Sequence, residues 1–370
     1  MKKFVGFIGW RGMVGSVLIQ RLIEENNFGK INPIFFSTSQ VGEKSPIIKG
    51  ISRSYLKNAY DIQDLKKMHI ILTCQGAEYT NIVYQKLRST GWKGYWLDSS
   101  SYLRMNSNSV IVLDPINIDL IHSAIRSGVK TFVGGNCTVS LMLMALGGLF
   151  SRNLIEWINF STYQAASGAG ANYIMELLKQ MGFLYNEVSI PLNQSSNSVL
   201  NIEKKISQLS TSDQFPKKYF LAPLAGNVLP WIDVITESGQ TKEERKVSEE
   251  ANKILNSKVF IPIDGVCVRV GAFRCHSQSF LIKLTEDISC VDIINIIQNH
   301  NSWIKIIPNN FKDTINSLTP FSVTGTLDIA VGRIRKLNFG SKYLSIFTVG
   351  DQLLWGAAEP IRRMLMILLK

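Results

Sequence analysis

Two side chains in this sequence have the type and surroundings that nucleophilic catalysis requires. Cys137 follows the turn Gly134-Gly135-Asn136 and leads into the apolar run Leu141 to Phe150. A cysteine at a helix N-terminus meets unpaired N–H groups and the positive end of the helix dipole, which favour the thiolate and lower the thiol pKa. Cysteine is more often a small buried hydrophobe, and that reading is kept for Cys74, Cys267 and Cys290, which lie in or beside apolar runs. His276 sits in Val268-Arg269-Val270-Gly271-Ala272-Phe273-Arg274-Cys275-His276-Ser277. Its imidazole titrates near working pH and suits an acid/base role, while Arg269 and Arg274 supply charge for an anionic substrate. Cys275 and His276 make a poor metal pair, because neighbours on an extended strand face opposite sides, and no metal site is expected. Arg269 and His276 are seven positions apart, so on one unbroken strand they would face opposite ways. A shared site requires a break in the alternation, expected as a bend or bulge at Gly271.

A second constellation is Gly9-Trp10-Arg11-Gly12-Met13-Val14-Gly15, between the apolar run Phe4 to Ile8 and a helical spacing of Val14, Val17, Leu18, Leu22 and Ile23. Glycines between a strand and a helix let the chain turn tightly and let a pyrophosphate approach the helix N-terminus. This makes Gly9, Arg11, Gly12, Met13 and Val14 cofactor-binding candidates, although the spacing is one residue longer than the usual dinucleotide fingerprint. The next strand ends Phe35-Phe36-Ser37-Thr38-Ser39, without the acid that would bind the ribose 2′-hydroxyl of NAD. The hydroxyls of Thr38 and Ser39, with Arg11, suit the 2′-phosphate of NADP; the alternative is that these residues form only a turn.

The elements that hold these groups are legible in outline. The chain has 370 residues, 45% of them hydrophobic, enough for two domains with real cores. Up to residue 134 short apolar strands alternate with helices, which predicts a doubly wound, mostly parallel sheet of Rossmann type. From 135 to 356 strands such as Phe260 to Val270 and Phe280 to Leu284 alternate as in a largely antiparallel sheet with one wet face, the core of an α+β catalytic domain. Tyr185 to Gln214 reads as loop plus one helix around Val199 to Leu209. Gln352 to Lys370 reads as a helix, and its part from 357 to 370 is expected to pack back on the first domain. The formal net charge is +12, from 40 Lys and Arg against 28 Asp and Glu, with no run of five basic residues. A basic tail is thereby excluded, whereas a patch assembled by folding is not. Five cysteines without a CxxC pair indicate neither a disulfide framework nor a zinc ribbon. The opening apolar stretch is cut by Gly6 and Gly9, unlike an export signal, and a soluble cytoplasmic protein is expected.

Around these residues the sequence closely resembles the aspartate-semialdehyde dehydrogenases of enteric and related Gram-negative bacteria. The likeness runs nearly the whole length: FIGWRGMVGS at 7–16, FFSTSQ at 35–40, TCQG at 73–76, FVGGNCTVSLMLM at 132–144, TYQAASGAGA at 162–171, DGVCVRVGAFRCHSQ at 264–278 and FTVGDQLLWGAAEP at 347–360. The resemblance implies NADP-dependent, phosphorylating interconversion of aspartate semialdehyde and aspartyl phosphate, on the route to lysine, methionine, threonine, isoleucine and diaminopimelate. It implies a Cys137 thioester with His276 as acid/base, Gln164 orienting the acyl group, Arg269 on the substrate carboxylate, Glu243 on its ammonium, and Arg104 with Lys246 on phosphate. It adds Gln75, Ser167, Gly168, Ala169, Gly170, Ala171, Ser195 and Gln352 to the cofactor site, and implies a homodimer formed by the catalytic domains. The sequence departs from the family at Ala169 and Ala171, where glycine is usual, and at Ser195, where proline is usual. Without the resemblance, Glu243 and Lys246 in Lys242-Glu243-Glu244-Arg245-Lys246 would be read as a solvated helix face. Rival functions are a reductase of N-acetylglutamyl phosphate and, from the net charge, a nucleic-acid-binding or scaffold protein that has kept the fold.

Overall fold

The computed structural model describes residues 2–193 and 198–370. Its first sheet is built from β1 (Lys3–Ile8), β2 (Ile31–Ser37), β3 (Lys57–Asn58), β4 (Ile70–Thr73), β5 (Tyr95–Asp98), β6 (Val110–Val112) and β7 (Thr131–Gly134), in the order β3-β2-β1-β4-β5-β7-β6. Every pair in it is parallel. The reason lies in sequences such as Ile70-Ile71-Leu72-Thr73, in which all four residues are buried; strands apolar on both faces need helices over both, and parallel crossovers supply them. Val5, Phe7 and Phe132 share one apolar cluster with Leu18 of the Met13–Glu24 helix and with Ile361, Met364 and Leu365 of the C-terminal Glu359–Leu369 helix.

The second sheet contains β8 (Ile155–Gln164), β9 (Val228–Leu229), β10 (Ile263–Val270), β11 (His276–Leu284), β12 (Ile304–Ile306), β13 (Ile329–Leu337) and β14 (Gly340–Gly350), in the order β12-β13-β14-β11-β8-β10-β9. Its pairs are antiparallel except β10 with β8 and β12 with β13. In β11 positions 278, 280, 282 and 284 are buried and the residues between them are less so, the alternation of a sheet with one face on a core. That core is centred on the Cys137–Ser151 helix, which is buried from Thr138 to Phe150. A helix apolar all round has no solvent face, and this one takes Cys137 from the end of the first sheet into the second domain.

Two local expectations change and a third holds. Tyr185 does not begin a loop: a helix runs over Ala171–Leu192, and a second follows at Val199–Thr211. The segment 352–370 is not one continuous helix, because a wider π-helical turn at Leu354–Ala358 precedes Glu359–Leu369. The expected break in strand parity does fall at Gly271, as a bend and not a bulge: β10 ends at Val270, the chain bends at Gly271, and it turns back into β11 at His276. The left-handed residue of that turn is Cys275, at φ 74°.

Candidate active site

The turn between β10 and β11 removes the parity problem posed by Arg269 and His276. The two strands flank β8 on opposite sides, β10 parallel with Arg269 beside Gln164, and β11 antiparallel with Ser277 beside Tyr163. Gln164, Arg269 and His276 therefore meet at one end of three adjacent strands, where Cys137 also arrives. Cys137 Sγ lies 3.4 Å from His276 Nε2. Asn136 caps the cysteine helix, its Oδ1 accepting from the N–H of Thr138 at 2.8 Å and of Val139 at 3.3 Å. Asparagine before an apolar helix is a cap signature, so this residue could have been singled out from sequence.

The protonation pattern of the pair follows from its neighbours. The Ala165 N–H donates to His276 Nδ1 at 3.1 Å, so Nδ1 is unprotonated and the neutral ring carries its proton on Nε2, toward sulfur. Full burial, with the nearby Arg269 charge, pushes the imidazole down to about 3, against an opposing contribution from the Cys275 backbone. As the ring stands it is a donor at Nε2. The general-base role expected from sequence needs a proton on Nδ1, where the Ala165 N–H points. The expectation of a depressed thiol pKa is also reversed: burial first and Glu243 second push Cys137 up to about 11, outweighing Arg104, Arg269 and the helix N-terminus. Alkylation of Cys137 by iodoacetamide in the ligand-free protein is accordingly expected to accelerate about tenfold per pH unit between pH 7 and 10. A rate already flat at pH 7 would contradict this.

Charged groups surround the pair in a cleft of about 580 Å³ whose lining includes Arg104, Gln164, Glu243, Lys246 and Arg269. Arg269 is buried and donates from Nη1 to the Ala165 carbonyl at 2.7 Å; burial holds its pKa below the ordinary value, with Cys137 and Glu243 opposing. The backbone at Gly168 closes over it so tightly that a Cβ there would come within 2.9 Å of Arg269 Nη1 and 3.1 Å of His276 Cε1. Glu243 Oε1 accepts from Asn136 Nδ2 at 2.9 Å and Gln164 Nε2 at 3.4 Å, while Oε2 faces Lys246 Nζ at 3.4 Å. Lys246 also pairs with Asp233 at 2.7 Å. Burial pulls the Lys246 ammonium down, but Glu243 and Asp233 leave it above its usual pKa. Glu243 and Lys246 thus lie on an inward face of the Lys242–Leu255 helix. The sequence pattern carries no signal for Glu250, on that same face, or for Asp233, because both act through contacts that only the fold brings together.

The far end of the cleft is the glycine loop. Val14, Ser167, Gly168, Ala169 and Gln352 line the same cleft as Cys137, while Gly170 and Ala171 open the Ala171–Leu192 helix beyond it. Gln352 joins the two parts, its Oε1 accepting from the Cys275 N–H at 2.7 Å and its amide donating to Ser167 Oγ. Gly12 caps the Met13–Glu24 helix with no side chain on the first-turn N–H groups and no acid among them, so those donors are free for a phosphate. Gly15 lets the loop close: a Cβ there would come within 2.2 Å of the Gly9 carbonyl oxygen. At the end of β2, Arg11 Nη2 reaches Ser37 Oγ and Ser39 Oγ, each at 3.4 Å, and Gln75 Nε2 reaches Thr38 Oγ1 at 3.5 Å. The donor set fits a phosphorylated dinucleotide. Ser195 lies outside the described residues. Among the described residues no group of three or more His, Cys, Asp or Glu could hold a metal ion, and no helix is long and apolar enough to cross a membrane.

Residues 4–124 match the semialdehyde dehydrogenase NAD-binding domain, and residues 146–355 the semialdehyde dehydrogenase dimerisation domain. A two-domain fold of this kind defines an oxidoreductase acting on aldehydes, with a nucleotide-binding domain. The chain belongs to the semialdehyde dehydrogenase family. It is 49% identical to the aspartate semialdehyde dehydrogenase of Francisella tularensis, with all of both chains covered and a TM-score of 0.94. Aspartate semialdehyde dehydrogenase II of Vibrio cholerae shares the fold at 23% identity and a TM-score of 0.80, over 100% of this chain and 98% of that one. The Candida albicans enzyme solved with NADP does so at 14% identity and 0.67, over 100% and 98%.

Proposed function

We propose that the protein is a phosphorylating, NADP-dependent aspartate-semialdehyde dehydrogenase, which interconverts aspartate semialdehyde plus phosphate with 4-aspartyl phosphate in the biosynthesis of lysine, methionine, threonine, isoleucine and diaminopimelate. The observation that carries this reading is the placement of a Cys–His pair at 3.4 Å in one cleft with Arg269, Glu243, Arg104 and Lys246. Three cations lining one cleft with a nucleophile suit a substrate that carries both a carboxylate and a phosphate. The Glu243 carboxylate favours a free ammonium between them, and so aspartyl phosphate over its longer, N-acetylated analogue.

In the reductive direction the Cys137 thiolate attacks the acyl phosphate carbonyl. A C–S bond forms, the C–O bond to phosphate breaks, and the leaving dianion is received by Arg104 and Lys246. Gln164, held by Thr138 Oγ1 at 3.0 Å, orients the thioester, and Arg269 holds the substrate carboxylate. NADPH, bound along the glycine loop, Thr38, Ser39, Gln75, Ser167 to Ala171 and Gln352, would supply the hydride to the acyl carbon, after which the C–S bond breaks to release the aldehyde and return the Cys137 thiolate. His276 donates from Nε2 to the thiolate and then to the acyl oxygen as negative charge develops there. Accepting the thiol proton requires the opposite tautomer, so we assign the base form to a state in which the 164–165 peptide has released Nδ1.

Two further assignments belong to this reading. The domains divide at residues 134 and 135, with 135–356 forming the catalytic and dimerisation domain of a cytoplasmic homodimer and the segment from 357 completing the NADP domain. Cofactor choice rests on Arg11, and Arg11→Ala should raise the KM for NADP about tenfold while leaving that for NAD within about twofold, as for one exposed charged contact to a phosphate. The function itself is tested by following NADPH formation with aspartate semialdehyde. Turnover should require both phosphate and NADP, and an aldehyde oxidation indifferent to phosphate would sink the reading.

A further inference from the structure

Glu250 has no part in the chemistry outlined above, yet it is one of the most completely enclosed carboxylates in the molecule, at 2% exposure. Its Oε1 lies 3.1 Å from Arg104 Nη1, and its Oε2 accepts the Asn136 N–H at 2.6 Å. One carboxylate therefore holds both the arginine that faces the anion cleft and the residue that caps the Cys137 helix. Arg104 reaches the cleft from the loop after β5, whereas Glu250 comes from the Lys242–Leu255 helix of the second domain. Arg104 is held in two further places, Nε donating to the Gly134 carbonyl at 2.8 Å and Nη2 to the Ser99 carbonyl at 3.4 Å. Lys253, one turn beyond Glu250, donates to the backbone carbonyls of Arg104 at 2.5 Å and Asn106 at 2.7 Å. A guanidinium has five N–H donors in a rigid plane. Anchoring one from each nitrogen fixes that plane and leaves one N–H on each terminal nitrogen for an anion.

We infer that Glu250 is a positioning residue for the phosphate subsite, presetting the plane of Arg104 and the cap of the Cys137 helix so that phosphate meets two aimed donors beside the sulfur. The inference rests on the proposed assignment of Arg104 to phosphate. A neutral amide cannot replace the carboxylate, because its NH₂ end would face either the Arg104 N–H or the Asn136 N–H, donor against donor. A shorter carboxylate keeps the charge and reaches one partner. Groups that orient the residues touching a ligand commonly change its affinity by an order of magnitude or more.

The test is steady-state oxidation of aspartate semialdehyde with phosphate varied, in the full-length protein, for Arg104→Gln, Glu250→Gln, Glu250→Asp and the double variant Arg104→Gln/Glu250→Gln. Glu250→Gln should raise the phosphate KM on the order of tenfold, with the KM values for aldehyde and NADP within about twofold. Glu250→Asp should recover part of that loss. In the double variant, Glu250→Gln should add little to the effect of Arg104→Gln, since the two act on one contact. An unchanged phosphate KM in Arg104→Gln would overturn the assignment of Arg104 itself. A raised KM in Arg104→Gln with an unchanged one in Glu250→Gln would overturn only the role of Glu250. Parallel rises in all three KM values, or additive effects in the double variant, would mark Glu250 as a support of the fold alone and also overturn it. If Glu250→Gln does not fold, Glu250→Asp decides, a selective rise in phosphate KM supporting the inference and its absence refuting it.

Discussion

Replacing Cys137 by serine should lower kcat by about 10⁴-fold or more, with KM values for NADP and phosphate changed little. Serine fills nearly the same volume at the start of the Cys137–Ser151 helix, so the cleft and its charges stay in place and the loss reports on the nucleophile. A hydroxyl is far less acidic than a thiol, and the His276 imidazole beside it has its Nε2 proton pointed at the side chain, with Nδ1 occupied by the Ala165 N–H. In this tautomer His276 cannot take the hydroxyl proton, and the base form that releases Nδ1 meets a hydroxyl far less acidic than the thiol. The measurement is a single-turnover experiment with aspartyl phosphate and NADPH, together with quenching to trap an acyl-enzyme. Wild type should release phosphate in a burst, and the serine variant should show none. A variant retaining more than about a tenth of wild-type kcat would end the covalent mechanism.

His276→Leu should cost about 10²- to 10⁴-fold in kcat, the range for removing a positioned proton-handling group, and little in KM. The side chain is wholly buried, and leucine fills its space without a donor, so both the thiolate and the oxygen that takes up negative charge lose the Nε2–H. The pH profile separates this role from that of a simple base. Because burial and Arg269 hold the imidazole at about 3, it stays neutral from pH 5 to 9. Wild-type kcat/KM should then show no limb with a midpoint near 6.5, and should rise with pH as the Cys137 thiol, pushed up to about 11, ionises. An acidic limb near 6.5 that vanishes in His276→Leu would instead identify His276 as a base titrating in the free enzyme. Stability carries the same sign. The unfolded chain takes up a proton on this imidazole near pH 6.5 and the folded one only near 3, so the folded form loses stability as pH falls through that interval.

How much of the site can be read before the fold is known depends on whether a residue acts through its neighbours in sequence or in space. The glycine loop and Cys137 are local: strand, turn and helix follow one another along the chain, and Gly9 to Gly15 and Gly134 to Cys137 carry their own geometry. The Lys242–Leu255 helix is the opposite case. It is rich in charge, and pattern alone reads it as a solvated face, yet Glu243 and Glu250 are buried. A helix pattern states which residues share a face and not what lies across from that face. Here the opposite wall is Asn136, Gln164 and Arg104, which carry enough donors to make buried carboxylates tolerable.

The amino-acid sequence by itself determined the alternation that makes a parallel sheet in the first part of the chain and a mostly antiparallel one in the second, the absence of an acid after β2, and the cysteine at a helix start. These are properties of periodicity and of adjacent residues, and they need no partner. Only the tertiary structure decided that Arg269 and His276 flank Gln164 from two different strands, that Ala165 selects the histidine tautomer, and that burial raises the thiol pKa that a helix start would lower. Each of these depends on which group stands across a gap of a few ångströms, and on how little water remains there, quantities that arise only when distant segments pack.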